Sequence, residues 1–444
     1  MLDTGAWFGQ PKGLTILFLT EMWEKFSFFG MRALQIYYMT KELRYSQSSA
    51  SLIFGAYAAG VYLTPIFGGL IADRWLGRRK AVIIGGALMA LGHFMMAFEP
   101  LFFAAMVVIA IGNGLFLPNL PSQVNLLYKK GDPRAGSAFN VYYVGINLGA
   151  FLAPLICGTL GEVYGWHYGF GAAGIGMCLG LAVYTWGGKY LPADASRTVV
   201  RPGPAGTASV AGNGAGNGTG NIPLLVGVAL AVMLFRTAYE QTGNTFAIWA
   251  DTSVARQAFG LTIPVTWFQS LNPMFVFMIS PLLVRVWNAR AAKGSTTPPL
   301  LRMTWGAIGV GVAYALLAGL IVVSAAGHYA ISWLWMLVFF AIFTLAELYI
   351  LPVGLGLFAS LAPERFAATT IAAWFFCSFT GNLLSGVIGT VWEKVTPQAF
   401  FLMMGGICAA SGLALYGIHR WHVAGAAQRG ARAHGVATRI SGDW

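Results

Sequence analysis

Glu21, Glu24, Lys25 and Arg32 stand in the middle of GLTILFLTEMWEKFSFFGMRALQIYYM, residues 13–39. Two carboxylates, an ammonium and a guanidinium can trade protons, hold a zwitterion or neutralise one another. Their spacing brings them together: at about 100° per residue, positions i, i+3, i+4 and i+11 share one narrow stripe of a helix, with Phe28 between them. The stretch is otherwise apolar and long enough to cross a hydrocarbon core of about 30 Å, which takes about 20 residues. An ionised group at the bilayer centre costs roughly 3 kcal/mol or more, so the stripe must face a bundle interior or a watery cavity. A purely structural network explains it poorly, because buried pairs seldom recover their desolvation penalty.

Three further ionisable residues lie deep in apolar runs: Arg236, Glu240 and Glu347. Arg236 and Glu240 are four apart and can pair along one helix face. With the first four they make four acids and three bases, a net charge of −1 that one added proton neutralises. A low-dielectric cavity holding one excess negative charge is a proton site.

Other chemistries lack their residues. Cys157, Cys178, Cys377 and Cys408 are scattered singly, without the paired spacing that metal or redox work needs. No HExxH or GxSxG occurs, and no His lies among the buried carboxylates, so neither a metal site nor an enzyme is expected. Unlike charges on separate runs also differ from the repeated pore segments of a channel. The coupling ion expected is the proton, with no cofactor.

The elements that must position these residues follow from composition. The 444 residues are 57% hydrophobic and 9% charged, against about 25% charged in soluble domains, which makes this a polytopic membrane protein. Apolar runs recur near 14–39, 49–74, 80–98, 101–128, 136–160 and 166–190, then near 222–250, 262–287, 299–324, 329–359, 366–391 and 397–422. We expect an all-α protein with twelve transmembrane helices in two six-helix bundles, 1–190 and 222–422, joined by a flexible Gly-rich linker at 191–221 and followed by a tail at 423–444. No leader with a small-residue cleavage site is evident, so the first helix is expected to serve as insertion signal. Twenty Lys and Arg fall in the termini and loops of one side, against Lys41, Arg44, Arg256 and Lys394 on the other. The net charge of +12 therefore orients the chain, with both termini and the linker cytoplasmic, rather than marking a nucleic-acid binder.

Two six-helix halves with a long cytoplasmic linker are the layout of major facilitator transporters, whose sites lie near the midplane between the halves. The loop GGLIADRWLGRRK at 68–80 resembles that superfamily's loop after its second helix, which makes Asp73, Arg74 and Arg78 candidate gating residues. EMWEKFSFFGMR at 21–32 resembles the ExxERFxYYGxR element of the proton-dependent oligopeptide transporter family. GGLIADRWLGRRKAVIIGGALMALGH, FNVYYVGINLGAFLAPLICG, YEQ at 239–241, WFQSLNP at 267–273 and ELYILPVGL at 347–355 resemble further elements of the same family.

The resemblance implies a bacterial proton-coupled symporter importing di- and tripeptides by alternating access, multi-pass and monomeric in the inner membrane. It implies that Glu240 binds the coupling proton with Arg32 as partner, and that Glu347 receives a peptide's amino terminus. It gives Asn147, Asn272 and Trp374 as peptide contacts and Lys25 as the cation for the carboxylate. Glu21, Glu24 and Arg236 complete the proton-coupling set, and Glu240 is expected to alternate between Arg32 across the halves and Arg236 on its own helix. Two departures stand out. GNGLFLPN carries Leu117 where relatives have Lys in a GxxKPN element, and Phe28 and Phe29 replace tyrosines. The lost cation leaves another substrate open, such as nitrate, an amino-acid conjugate or a drug.

Overall fold

Twelve rods are built from fourteen α-helices in the computed structural model, which describes residues 9–129, 132, 134–192, 222–258, 260–361 and 367–440. The first half holds α1 Lys12–Tyr37, α2 Gln47–Ile71, α3 Arg78–Met95, α4 Phe102–Phe116, α5 Asn119–Leu126, α6 Ala135–Ala153 and α7 Trp166–Trp186. The second holds α8 Ile222–Tyr239, α9 Thr245–Ser253, α10 Phe268–Ala292, α11 Pro299–Gly327, α12 Leu334–Leu361, α13 Ala367–Gly389 and α14 Pro397–Ile440. Two rods are double. Pro118, which cannot continue the hydrogen-bond ladder, separates α4 from α5, and a 3-10 turn at Glu240–Gly243 separates α8 from α9.

Ten rods among the described residues are long and apolar enough to cross a membrane. The other two are α1, with its four mid-helix charges, and α3, which opens on Arg78, Arg79 and Lys80. Both are held by protein rather than by their own hydropathy: Leu17, Met31, Leu34 and Ile36 of α1 are fully buried. Most of the expected linker, 193–221, lies outside the described residues. The last apolar stretch ends at Ala424, and α14 continues without a break to Ile440, so the expected tail begins as a helical extension.

Glycines let the rods approach closely, the usual device where lipid supplies no hydrophobic drive between helices. A Cβ at Gly68 of α2 would lie 2.0 Å from the Gly114 carbonyl oxygen of α4, and one at Gly55 would lie 2.5 Å from the Gly386 Cα of α13. The second crossing joins the halves, as does the packing of α6 on α10. Both belong to the side opposite the chain termini, called here the far side. Short strands also decorate that side. β1 Val254–Ala255 pairs in parallel with β4 Ile331–Ser332, and β2 Gln257–Ala258 pairs antiparallel with β3 Leu261–Thr262.

Candidate functional site

Helical spacing along α1 places Glu21, Glu24 and Lys25 on one face, and they form the first cluster. The Lys25 ammonium lies 2.6 Å from Glu24 Oε2 and 3.3 Å from Glu21 Oε1. The Tyr142 hydroxyl of α6 donates to Glu21 Oε2 at 2.6 Å, so the second oxygen of Glu21 is also held. Both carboxylates are buried, and Glu24 Oε1 has no hydrogen-bond partner among the described residues. Two acids share one cation, a local charge of −1.

Two turns further along α1, Arg32 reaches the other half. Its Nη2 lies 2.6 Å from Glu240 Oε2, while Arg236 Nη1 of α8 lies 3.1 Å from Glu240 Oε1. Glu240 therefore holds both arginines at once, one on each oxygen. The alternation expected from the sequence corresponds here to simultaneous pairing, because the turn that begins at Glu240 points its carboxylate between the two guanidiniums. Aromatic rings of α2 complete the setting, with Phe54 5.2 Å from the Arg32 guanidinium and Tyr62 5.9 Å from that of Arg236. Two cations on one acid give this triad +1.

Arg32 and Glu240 of this triad form part of the wall of a cavity of about 190 Å³ between the halves. Phe29 and Arg32 of α1 and Ala150 of α6 face Tyr239, Glu240, Gln269, Asn272 and Glu347 from the second half. Asn272 Nδ2 donates to Glu347 Oε2 at 2.5 Å and to Thr344 Oγ1 at 3.1 Å. No cation lies within ion-pair distance of Glu347 among the described residues. The amide orients this carboxylate without neutralising it, which leaves −1 facing the cavity. The seven charges within the rods thus sum to −1, as their sequence implies, but unevenly: −1 at Lys25, +1 at the triad and −1 at Glu347.

Three residues expected at the peptide stand off this wall. Lys25 is engaged by its own glutamates. Asn147 is buried and donates to the Tyr143 carbonyl one turn back on α6. Trp374 of α13 is buried with its ring 5.3 Å from that of Phe358, and a Cβ at Gly354 would come within 2.6 Å of its indole. Here its surroundings are those of a packing residue between α12 and α13. Asp73 and Arg74 are exposed in the π-helical turn Ala72–Leu76, and Arg78 opens α3 beyond Gly77, whose φ of 77° makes the corner. The neighbouring Arg79 donates to the Gly188 carbonyl at 2.7 Å, tying the loop to the end of α7. Leu117 is the C-cap of α4 and half-buried.

Tyr142, Tyr239 and Gln269 reach the site without having been singled out from sequence. Tyr239 directly precedes Glu240, and Gln269 lies one turn before Asn272 on the same helix face, so adjacency to the charged and amide residues was the available signal.

A family model described as the POT family matches residues 79–198 and 222–403. The chain is similar to the peptide transporter YePEPT of Yersinia enterocolitica, 33% identical over 86% of this chain and 88% of that one. It is likewise similar to a di-/tripeptide transporter of Lactococcus lactis, 31% identical over 92% and 95% of the two chains. Among solved structures, a variant of the peptide transporter POT in complex with alafosfalin superposes with a TM-score of 0.83 at 30% identity, covering 94% of this chain and 96% of that one.

Proposed function

The chain belongs to the POT family, and from that premise we propose that it is a symporter importing di- and tripeptides with protons by alternating access. The observation that carries the reading is the pairing, on one cavity wall, of the interhalf bridge Arg32–Glu240 with Glu347, a carboxylate with no cation at ion-pair distance among the described residues. A peptide ammonium neutralises Glu347 while Asn272 holds its geometry, giving the charge-assisted contact that fixes the amino end. The same neutralisation leaves the +1 of the triad uncompensated, and a peptide carboxylate balances it. A zwitterion therefore suits this wall better than either an anion or a cation alone.

Proton coupling follows from the bridge. Glu240 ties the first half to the second, so adding a proton there releases Arg32, while peptide draws the halves together. The freed Arg32 cation adds positive charge to the cavity wall and suits the peptide carboxylate, so proton and peptide each favour the closed, loaded state, which is what reciprocal coupling requires. Glu21, Glu24 and Lys25 form a second acid-rich cluster able to take up or pass on a proton. In this reading the chain sits in a bacterial inner membrane as a monomer, with both termini and the linker in the cytoplasm, bundles at 1–190 and 222–422, and Asp73, Arg74 and Arg78 at the cytoplasmic gate.

Leu117 favours one second reading, a family member whose substrate needs one cation fewer than a peptide. Competition against a labelled dipeptide in proteoliposomes decides. Di- and tripeptides should displace the label while free amino acids, nitrate and peptides of four or more residues do not. Displacement by nitrate or by single amino acids at least as strong as by dipeptides would overturn the assignment.

A further inference from the structure

Two carboxylates outside the cavity are placed as mirror images of one another. Glu162, in the turn Leu160–Tyr164 that ends the fifth rod of the first half, accepts from the backbone N–H of Val265 at 3.0 Å and of Thr266 at 2.9 Å, and from the Thr266 hydroxyl at 2.6 Å. Those residues open the continuous rod Val265–Ala292, the second rod of the second half. Glu393, in the turn Trp392–Lys394 that ends the fifth rod of the second half, accepts from the backbone N–H of Gln47 at 3.0 Å and from the Ser48 hydroxyl at 2.5 Å. Gln47 opens α2, the second rod of the first half. Each half thus caps, with a carboxylate, the same element of the other half.

We infer that Glu162 and Glu393 are a reciprocal latch that holds the far side closed. The first-turn N–H groups of a helix have no partner within it, and its N-terminus carries partial positive charge. A carboxylate satisfies both, and an ionised acceptor bonds about twice as strongly as a neutral one. Because both donors and acceptors sit on opposite halves, parting the halves on the far side breaks both caps in one motion. The flanking charges reinforce one of them: Arg256 Nη1 lies 3.7 Å from Glu162 Oε2, Asp251 holds Arg256 at 3.0 Å, and Lys41 of the first half reaches Asp251 at 2.6 Å. At the other cap, the Gln47 amide also donates to the Gly389 carbonyl at 3.2 Å. The inference rests on the alternating-access reading but not on the substrate.

The test reads conformation without substrate. Cys178 is the exposed one of four free cysteines, so a Cys178→Ala background carrying spin labels at positions 99 and 326, both exposed on the far side of opposite halves, reports far-side opening by pulsed electron spin resonance in lipid nanodiscs. Glu162→Gln and Glu393→Gln keep shape and lose charge. Each should raise the long-distance population about two- to fivefold, and the double variant should raise it more, while Glu42→Gln, an exposed carboxylate of the same side, should change nothing. A double variant with the parental distribution would overturn the latch, and opening by one glutamine but not the other would overturn its reciprocity. As an independent arm, Ser48→Cys and Glu393→Cys bridged by a short bis-maleimide should abolish uptake, and uptake surviving the bridge would also overturn the proposal.

Discussion

Arg32 and Glu240, 208 positions apart in the chain, meet at 2.6 Å with Arg236 on the remaining oxygen of the same carboxylate. That contact joins the charged stripe of α1 to the broken seventh rod, and it makes Glu240 an acid of the cavity wall answerable to both halves. The chemistry of the site then divides in two: a doubly paired carboxylate that controls the interhalf contact, and Glu347, which faces the cavity and accepts from Asn272 and from the Tyr239 hydroxyl.

Glu240→Gln should abolish proton-driven uptake while leaving some peptide counterflow. The variant keeps an acceptor between the guanidiniums but loses the charge that a proton must neutralise. Uptake by proteoliposomes with and without an imposed pH gradient checks this, and an undiminished gradient response would remove Glu240 from the coupling mechanism.

Glu347→Gln should weaken peptides with a free amino terminus far more than N-acetylated ones. Removing one partner of a desolvated charge pair costs roughly 2 to 5 kcal/mol, or about thirtyfold and upward in competition curves. Equal losses for blocked and unblocked ligands would show that this carboxylate does not read the amine.

Gly386→Val should lose uptake and counterflow together, in contrast to Glu240→Gln. The Cα of Gly386 already lies 2.5 Å from where a Cβ on Gly55 would be, so a branched side chain at this crossing keeps the far side from closing. Insertion and yield should persist, since the crossing joins the halves rather than building either one. Counterflow at the parental rate would contradict the closing role of the α2–α13 contact.

Arg236→Leu lowers the charge of the seven-residue set from −1 to −2 and leaves the second oxygen of Glu240 without its partner. Peptide uptake should fall about tenfold or more, in line with an unpaired buried charge. Leu117→Lys in that background restores the total and should recover part of the loss, while the same change alone should not raise uptake. Equal effects of Leu117→Lys in both backgrounds would show that the total charge is not what matters.

Much of this was legible because membrane spans announce themselves by length. The twelve apolar runs coincide with the twelve rods, and the stripe of Glu21, Glu24, Lys25 and Arg32 already required a polar interior. What the stripe touches was not legible. That Tyr142 holds Glu21, and that Glu240 takes two arginines at once, depends on helix rotation and on the turn at 240–243, neither of which leaves a periodic trace. Trp374 looks like a pocket residue by type, yet Gly354 opens a seat for its indole inside the bundle. Glu162 and Glu393 drew no expectation from the sequence, because a helix cap supplied from the other half has no local signature.

The most direct test of the account is uptake of a labelled dipeptide by proteoliposomes of the purified protein under an imposed inward proton gradient. Accumulation above the outside concentration is expected, collapsing on addition of a protonophore. Equilibration without accumulation, or accumulation untouched by the protonophore, would contradict it.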